Sequence, residues 1–194
     1  MKKLVFASNN AHKLQEVRQI MPADIQVLSL HDIGFEADIE ETGTTLEQNS
    51  AIKAEAVHQW LQNHPSVNCW GVFADDTGLE IDALDGAPSV YTARWAGEPA
   101  ANRAKALREL EGKQNRNAQF RTVVTLIQNG KTLQVEGVVH GTIATQEYGD
   151  GGFGYDPLFI PEGYDKTFAE LPADVKNQVS HRGRALTKLV QILQ

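Results

Sequence analysis

Two adjacent aspartates, Asp75 and Asp76, close the apolar run Val72-Phe73-Ala74 within the segment WGVFADDTGLEID. Consecutive side chains on a strand point to opposite faces. If the strand persists through both acids, they cannot face one pocket or share one proton as a catalytic dyad. One is then free to hold a hard cation or activate a water, while the other needs backbone amides or a nearby cation. Mg2+ suits such a site, because it takes one or two carboxylates and fills its shell with waters and phosphate oxygens. The competing reading is a strand-ending turn, where Asp is favoured for its turn chemistry.

Four further segments carry reactive or ligand-binding types. In ASNNAHK, Ala7 to Lys13, a strand ends, a polar loop follows and a helix begins with a lysine in its first turn. Backbone N–H groups, asparagine amides and the positive helix end can gather there around an anion. A polar turn with an N-cap explains the same residues, and the spacing is not that of a Walker loop. In ETGTTLEQNSAIKAEA, Thr45, Asn49 and Lys53 fall four residues apart and share one helix face. That face is either solvated or turned into a cleft, with Lys53 reaching a phosphate. Glu41, just before the helix, is placed to coordinate a metal or to favour the positive helix end. In GDGGFGYDPLF, the glycines let backbone approach a ligand closely. Phe153 and Tyr155 offer ring faces there, and Asp156 offers an acceptor; a ligand-free hairpin loop is the alternative. In KNQVSHRGRA, Lys176, His181 and Arg182 surround a helix start, where positive charge is unfavourable. That conflict points to an anionic or carbonyl-bearing ligand, against a plain solubilising surface.

The elements that must position these residues alternate between strand and helix. Lys3 to Ala7 and Ile25 to Leu28 read as strands, with Leu14, Val17 and Met21 marking a helix between them. Thr44–Glu47 and Thr45–Gln48 each fit a capping box, so a long helix starts near Thr44. The strand at Val72 is followed by a separate short one at Leu79-Glu80-Ile81, then by a helix from Ala101 to Leu110 that ends near Gly112. Phe120 to Ile127 and Thr132 to Val139 flank Asn129-Gly130, a strong hairpin signal. Ser180 is placed to cap a last helix with core residues Leu186, Leu189, Val190 and Leu193. Parallel-type crossovers followed by a hairpin predict an α/β protein with a mixed sheet.

Composition narrows the function classes. The 194 residues suffice for one sizeable domain or two small lobes, and 41% are apolar. A net charge of −7 argues against a general nucleic-acid binder but allows a small anionic substrate met by a few local cations. No apolar run approaches the ~20 residues of a membrane span, and the N-terminal apolar stretch is too short for a signal peptide. The single cysteine, Cys69, cannot form an internal disulfide and reads as a buried structural thiol, which fits the reducing cytoplasm.

Taken together and in this order, SNNAHK, EETGTTLEQNSAIKA, FADDTGLEIDALDGAPSVYTARWAG, GGFGYDPLF and SHRGRAL resemble the noncanonical purine nucleoside triphosphate pyrophosphatases, the inosine and xanthosine triphosphate pyrophosphatases. The similarity runs from Lys3 almost to the C-terminus. It implies hydrolysis of ITP, dITP and XTP to the monophosphate and pyrophosphate with Mg2+. It also implies a single α/β domain over residues 1–194, with an elongated mixed β-sheet flanked by helices, two lobes around a central active-site cleft, and a homodimer. Carried onto this chain, the resemblance makes Asp76 the catalytic base and a metal ligand, with Glu41 as its metal partner. Ser8, Asn9, Asn10, Ala11, His12, Lys13 and Lys53 would hold the triphosphate, with Thr77 beside it. Phe153, Gly154, Tyr155, Asp156, Lys176, His181 and Arg182 would hold base and sugar. Two positions depart from the pattern. Gln48 stands where a second glutamate is frequent, and Ala11-His12 precede the lysine where glycine is frequent. Two other readings stay open: a Maf-like nucleotide pyrophosphatase with another base preference, and a nucleotide sensor that binds without hydrolysis.

Overall fold

The computed structural model describes residues 1–193. They form two compact units, one of residues Met1–Asp76, Thr122–Glu136 and Ala185 onward, the other of Thr77–Arg121 and Gly137–Arg184. In chain order the elements are β1 (Lys2–Phe6), α1 (Ala11–Ile20), β2 (Ile25–Leu28), α2 (Leu30–Ile33), α3 (Leu46–Gln62), β3 (Gly71–Ile81), β4 (Pro88–Ser89), α4 (Pro99–Glu109), β5 (Asn117–Gln128), β6 (Lys131–Ile143), β7 (Phe159–Pro161), α5 (Ala173–Val179) and α6 (His181–Leu193). The result is a mixed α/β architecture, as the alternation of patterns predicts.

In the first unit β1 pairs in parallel with both β2 and β3, so that Leu4 lies opposite Val27 and Gly71. Alternation along the strands divides the apolar residues cleanly. Leu4, Phe6 and Phe73 pack with Val17 and Met21 from α1 and with Leu186 and Leu189 of α6. Val5, Ala7, Val72 and Ala74 pack with Leu30 and Ile33 of α2 and with Ala54 and Val57 of α3. Both faces are therefore covered, which is why β1 and β3 read as unbroken apolar runs rather than alternating ones. The β5–β6 hairpin turns at Asn129 and Gly130, with φ of 51° and 71°. Two successive left-handed residues are what this two-residue turn demands.

In the second unit β3 continues and pairs antiparallel with β4, Leu79 opposite Ser89. β7 pairs antiparallel with β6, Ile160 opposite Thr142. Leu79, Ile81, Ala106, Leu110, Phe120, Phe159 and Phe168 build its core. Phe120 meets Phe159 edge-on at 4.8 Å between ring centroids.

Several boundaries differ from the sequence reading. Leu79-Glu80-Ile81 is not a separate strand: β3 runs unbroken through Asp75-Asp76-Thr77-Gly78. α4 starts at Pro99, whose missing N–H costs nothing at the first helical position. β5 and β6 are longer than their apolar cores suggest. The short α2, β4, β7 and α5 leave no mark in the sequence pattern, because elements of two to seven residues hold too few turns or alternations to show a period. Among the described residues no helix is long and apolar enough to cross a membrane.

Phe73 is fully buried and stacks on Phe6 at 4.9 Å. Phe73→Ala should lower unfolding free energy by about 3–5 kcal/mol, measured by denaturant titration. A loss below ~1 kcal/mol would show that this layer collapses onto the cavity.

Candidate active site

The continuity of β3 decides how its two acids are used. Both are buried, Asp75 to 2% exposure and Asp76 to 8%. By strand parity Asp75 lies on the face of Phe73, toward α1, and Asp76 on the face of Ala74, toward α3. The contacts agree: Asp75 Oδ1 is 3.0 Å from Lys13 Nζ of α1, and Asp76 Oδ1 is 3.7 Å from Lys53 Nζ of α3. The turn reading of Asp-Asp-Thr-Gly is thereby replaced by a strand whose neighbouring carboxylates each meet a lysine from a different layer.

Lys13 is delivered by the loop after β1. The Asn10 side chain caps α1, its Oδ1 accepting from the Lys13 N–H at 3.1 Å, and Ser8 Oγ accepts from the Asn10 N–H at 3.2 Å. Asn9, Asn10, Ala11 and His12 are exposed. Asn10 Oδ1 is therefore engaged in capping. The exposed first turn of α1 presents the positive end of the helix to any ligand that meets it.

Lys53 is delivered by α3. Thr45 caps that helix, accepting from the Gln48 N–H at 3.1 Å. The Gln48 amide oxygen turns back to accept from the Thr44 N–H at 2.7 Å. At the position where the resemblance expects a second metal-directed glutamate, this chain therefore has an amide that closes the helix start. One residue along, Asn49 is fully buried, and its Oδ1 accepts from the Gly43 N–H at 2.8 Å. A Cβ on Gly43 would sit 2.6 Å from that oxygen, so only glycine permits this approach. The bond draws the segment carrying Glu41 against α3, where Glu41 Oε1 lies 2.5 Å from Lys53 Nζ. The Asn49–Lys53 side of the helix is thus buried rather than solvated. Sequence periodicity cannot tell those two cases apart when a polar face is covered by a loop.

Burial is the largest single influence on both Asp76 and Lys53. It raises the Asp76 carboxyl above its ordinary pKa, with Lys53 and Lys13 offsetting part of the effect. Burial acts to lower Lys53, but Asp75, Asp76 and Glu41 together more than compensate, and its pKa is raised. Asp76 Oδ2 is buried with no hydrogen-bond partner among the described residues. A buried carboxylate oxygen left unmatched is costly unless something else meets it. Together with Glu41, which shares Lys53 with it, this oxygen fits a hard divalent cation. No group of three or more His, Cys, Asp or Glu among the described residues could hold a metal alone. The remaining ligands would then be waters and phosphate oxygens, the shell that Mg2+ favours.

The second unit gathers a different cluster. Lys176 Nζ donates to Asp156 Oδ2 at 2.6 Å, and the same oxygen accepts from the Phe153 N–H at 2.9 Å. Lys176 and Arg182 lie over the Phe153 ring, 5.0 Å and 5.8 Å from its centroid. His181 stacks on Phe120 at 4.6 Å, and Arg182 Nη2 donates to Thr77 Oγ1 at 3.2 Å. Lys176, His181 and Arg182 are all buried, so the solubilising-surface reading does not hold. Ser180 caps α6 by accepting from the Gly183 N–H at 3.1 Å. Gly152 has φ of +67°, and a Cβ there would collide with Asp156 Oδ2. Tyr155 departs from expectation: its ring is buried in the core and its hydroxyl donates to the Thr92 carbonyl at 2.6 Å. It cannot offer a face to a base. Gly154, beside it, has φ of +60°, and open space lies where a side chain would begin.

Comparison with known proteins bears on what these clusters do. The family model described as Ham1 family matches residues 4–192. A dITP/XTP pyrophosphatase of Flavobacterium johnsoniae is 48% identical, over 98% of this chain and 97% of its own. A dITP/XTP pyrophosphatase of Bacillus subtilis is 47% identical, over 100% of this chain and 98% of its own. The solved structure of a HAM1 protein from Coxiella burnetii has a TM-score of 0.87 at 36% identity, covering 100% of this chain and 98% of that one. The Staphylococcus aureus Ham1 protein has a TM-score of 0.84 at 40% identity, covering 99% and 98%.

The raised Asp76 pKa has a testable sign. A carboxyl whose folded pKa exceeds its unfolded one favours folding while protonated; that stability is present below the unfolded pKa and lost as pH rises through the folded value. In chelator-treated protein, Asp76→Asn should therefore melt above the wild type at about pH 7, and the gap should close toward about pH 3. A variant that melts lower at neutral pH would mean that the lysine attractions outweigh burial.

Proposed function

The chain belongs to the Ham1 family, and from that membership we propose that it hydrolyses the noncanonical purine triphosphates ITP, dITP and XTP to the nucleoside monophosphate and pyrophosphate. One observation carries the chemistry: the buried Asp76 carboxylate, with Oδ2 unmatched, beside the Glu41–Lys53 pair. Near-full-length likeness to proteins named dITP/XTP pyrophosphatase supports the choice of substrate.

In the proposed reaction, water attacks the α-phosphorus and the α–β anhydride bond breaks. Asp76 orients that water and takes its proton. In the metal-free protein burial holds this carboxyl above its ordinary pKa, the direction that a base requires. Lys53 stays charged because three carboxylates surround it, and it turns from Glu41 toward departing phosphate oxygens. Lys13, held ready by Asp75, does the same from α1. Glu41 and Asp76 are the residues that would hold Mg2+, which when bound neutralises charge on phosphate oxygens. The loop after β1 and the exposed first turn of α1 add the positive helix end to the grip on the triphosphate.

Base selection falls to the second-unit cluster. Lys176, His181 and Arg182 are hydrogen-bond donors. A 6-oxo purine offers an acceptor to such a donor, whereas adenine presents its own amino donor. A site built around hydrogen bonding can discriminate strongly on that difference. The Asp75–Asp76 pair disfavours the sensor reading, since binding alone has no use for a basic carboxylate with an unmatched oxygen. The resemblance further supports a homodimer and a cytoplasmic location.

Pyrophosphate release across a nucleotide panel, with and without Mg2+, tests the reading. ITP, dITP and XTP should be turned over well and ATP poorly. In 18O-water the label should appear in the monophosphate; label in pyrophosphate would refute attack at the α-phosphorus. Asp76→Asn should lose about 10²–10⁴-fold in kcat while remaining folded. Near-wild-type kinetics would remove Asp76 from the chemistry.

A further inference from the structure

The glycine-rich turn at residues 149–156 is tied to α4 by two separate routes. Arg103 donates from Nη1 to the Gly154 carbonyl at 2.9 Å, and its Nε pairs with the Glu147 carboxylate. The neighbouring Asn102, 2% exposed, donates from Nδ2 to the Ala93 carbonyl at 3.1 Å and to the Thr92 carbonyl at 3.4 Å. The Asn102 Oδ1 accepts from the Ala96 N–H at 2.6 Å. The Thr92 carbonyl is also the acceptor of the Tyr155 hydroxyl. Two consecutive residues of the turn, Gly154 and Tyr155, are thus referred to two consecutive residues of one helix.

A turn with glycines at 149, 151, 152 and 154 has little side-chain packing to fix its path, and glycine opens the most backbone freedom. Hydrogen bonds fix its path instead: the Gly151 N–H donates to the Ala169 carbonyl, the Asp156 carbonyl accepts from the Ala169 N–H, and Arg103 holds the Gly154 carbonyl between those two ties. A guanidinium is suited to the task, because its rigid fork can hold two acceptors at once. Here they are a carboxylate at 147 and a carbonyl at 154, and the Arg103 side chain is only 19% exposed. Beyond Gly154 on either side stand Phe153, whose ring lies under Lys176 and Arg182, and Asp156, which Lys176 grips.

We propose that Arg103 is a positioning residue for base selectivity: by holding the Gly154 carbonyl it sets where Phe153 and Asp156 stand, without itself touching the nucleotide. This rests on the assignment of Phe153 and Asp156 to the base.

Arg103→Met and Arg103→Lys, assayed on ITP, GTP and ATP, test it, together with amide hydrogen exchange of residues 149–156 in nucleotide-free protein. Arg103→Met should raise KM for ITP by roughly tenfold, the size of one charge-assisted hydrogen bond, with kcat within about twofold. Preference for ITP over GTP should fall by a similar factor, and the turn should exchange faster. Arg103→Lys, able to keep one bond to Gly154, should recover most of the loss. Unchanged KM and preference in an active Arg103→Met variant overturns the proposal. So does an equal fall in kcat for every nucleotide, which marks a merely structural role. Should Arg103→Met not fold, Glu147→Gln loosens the guanidinium while sparing its bond to Gly154. A smaller shift in the same direction then supports the proposal, and none overturns it. If the wild type hydrolyses no ITP, the functional reading falls and base selectivity with it; hydrogen exchange would still show whether Arg103 holds the turn.

Discussion

Two like charges on neighbouring residues of a buried strand form the constraint around which the first unit is arranged. Asp75 and Asp76 cannot be left unmatched at 2% and 8% exposure. Because a strand sends consecutive side chains to opposite faces, each is contacted by a different lysine, although the field of each ammonium reaches both. The unit meets the demand with a helix on each face, α1 supplying Lys13 and α3 supplying Lys53. Parallel strands joined through helices produce this layering by their connectivity. The fold and the charge pattern therefore ask for the same thing. The match is incomplete at Asp76, where one oxygen has no hydrogen-bond partner among the described residues and the nearest ammonium is shared with Glu41.

The second unit handles buried charge by another route. Lys176 and Asp156 neutralise each other at 2.6 Å, and aromatic rings line the surrounding space. Cations held over ring faces keep part of the stabilisation they lose on leaving water. The first unit gathers carboxylates and ammoniums, the second aromatic rings and cations.

How much of this is legible in the residues varies with the range of the interaction. Local signals read well. Asn10 and Thr45 cap their helices, Asn129-Gly130 makes the hairpin turn, and Ser180 opens α6, because each depends on a few neighbouring residues. The opposed directions of Asp75 and Asp76 are legible too, since they need only that the strand continue. What escapes the sequence depends on distant partners. The helix face of Asn49 and Lys53 looks solvated until the segment at Gly43 closes over it. Tyr155 looks like a stacking ring until the second-unit core surrounds it. Arg103 looks like any arginine on an alanine-rich helix, and its acceptor lies 51 residues away. The candidate site residues stand out mainly through motif order, which carries information that periodicity does not.

The parity of β3 also sets what kinds of change the chain can tolerate. A substitution near the acids alters one contact, but an insertion or deletion of one residue between Gly71 and Asp75 exchanges every later side chain between the layers. Losing one residue there would place the second aspartate where the first now stands and bring a threonine opposite Lys53. That lysine would then lose its partner on the strand and keep Glu41. For the pairing of the acids with their lysines, the length of this short interval therefore matters more than the identity of its apolar residues.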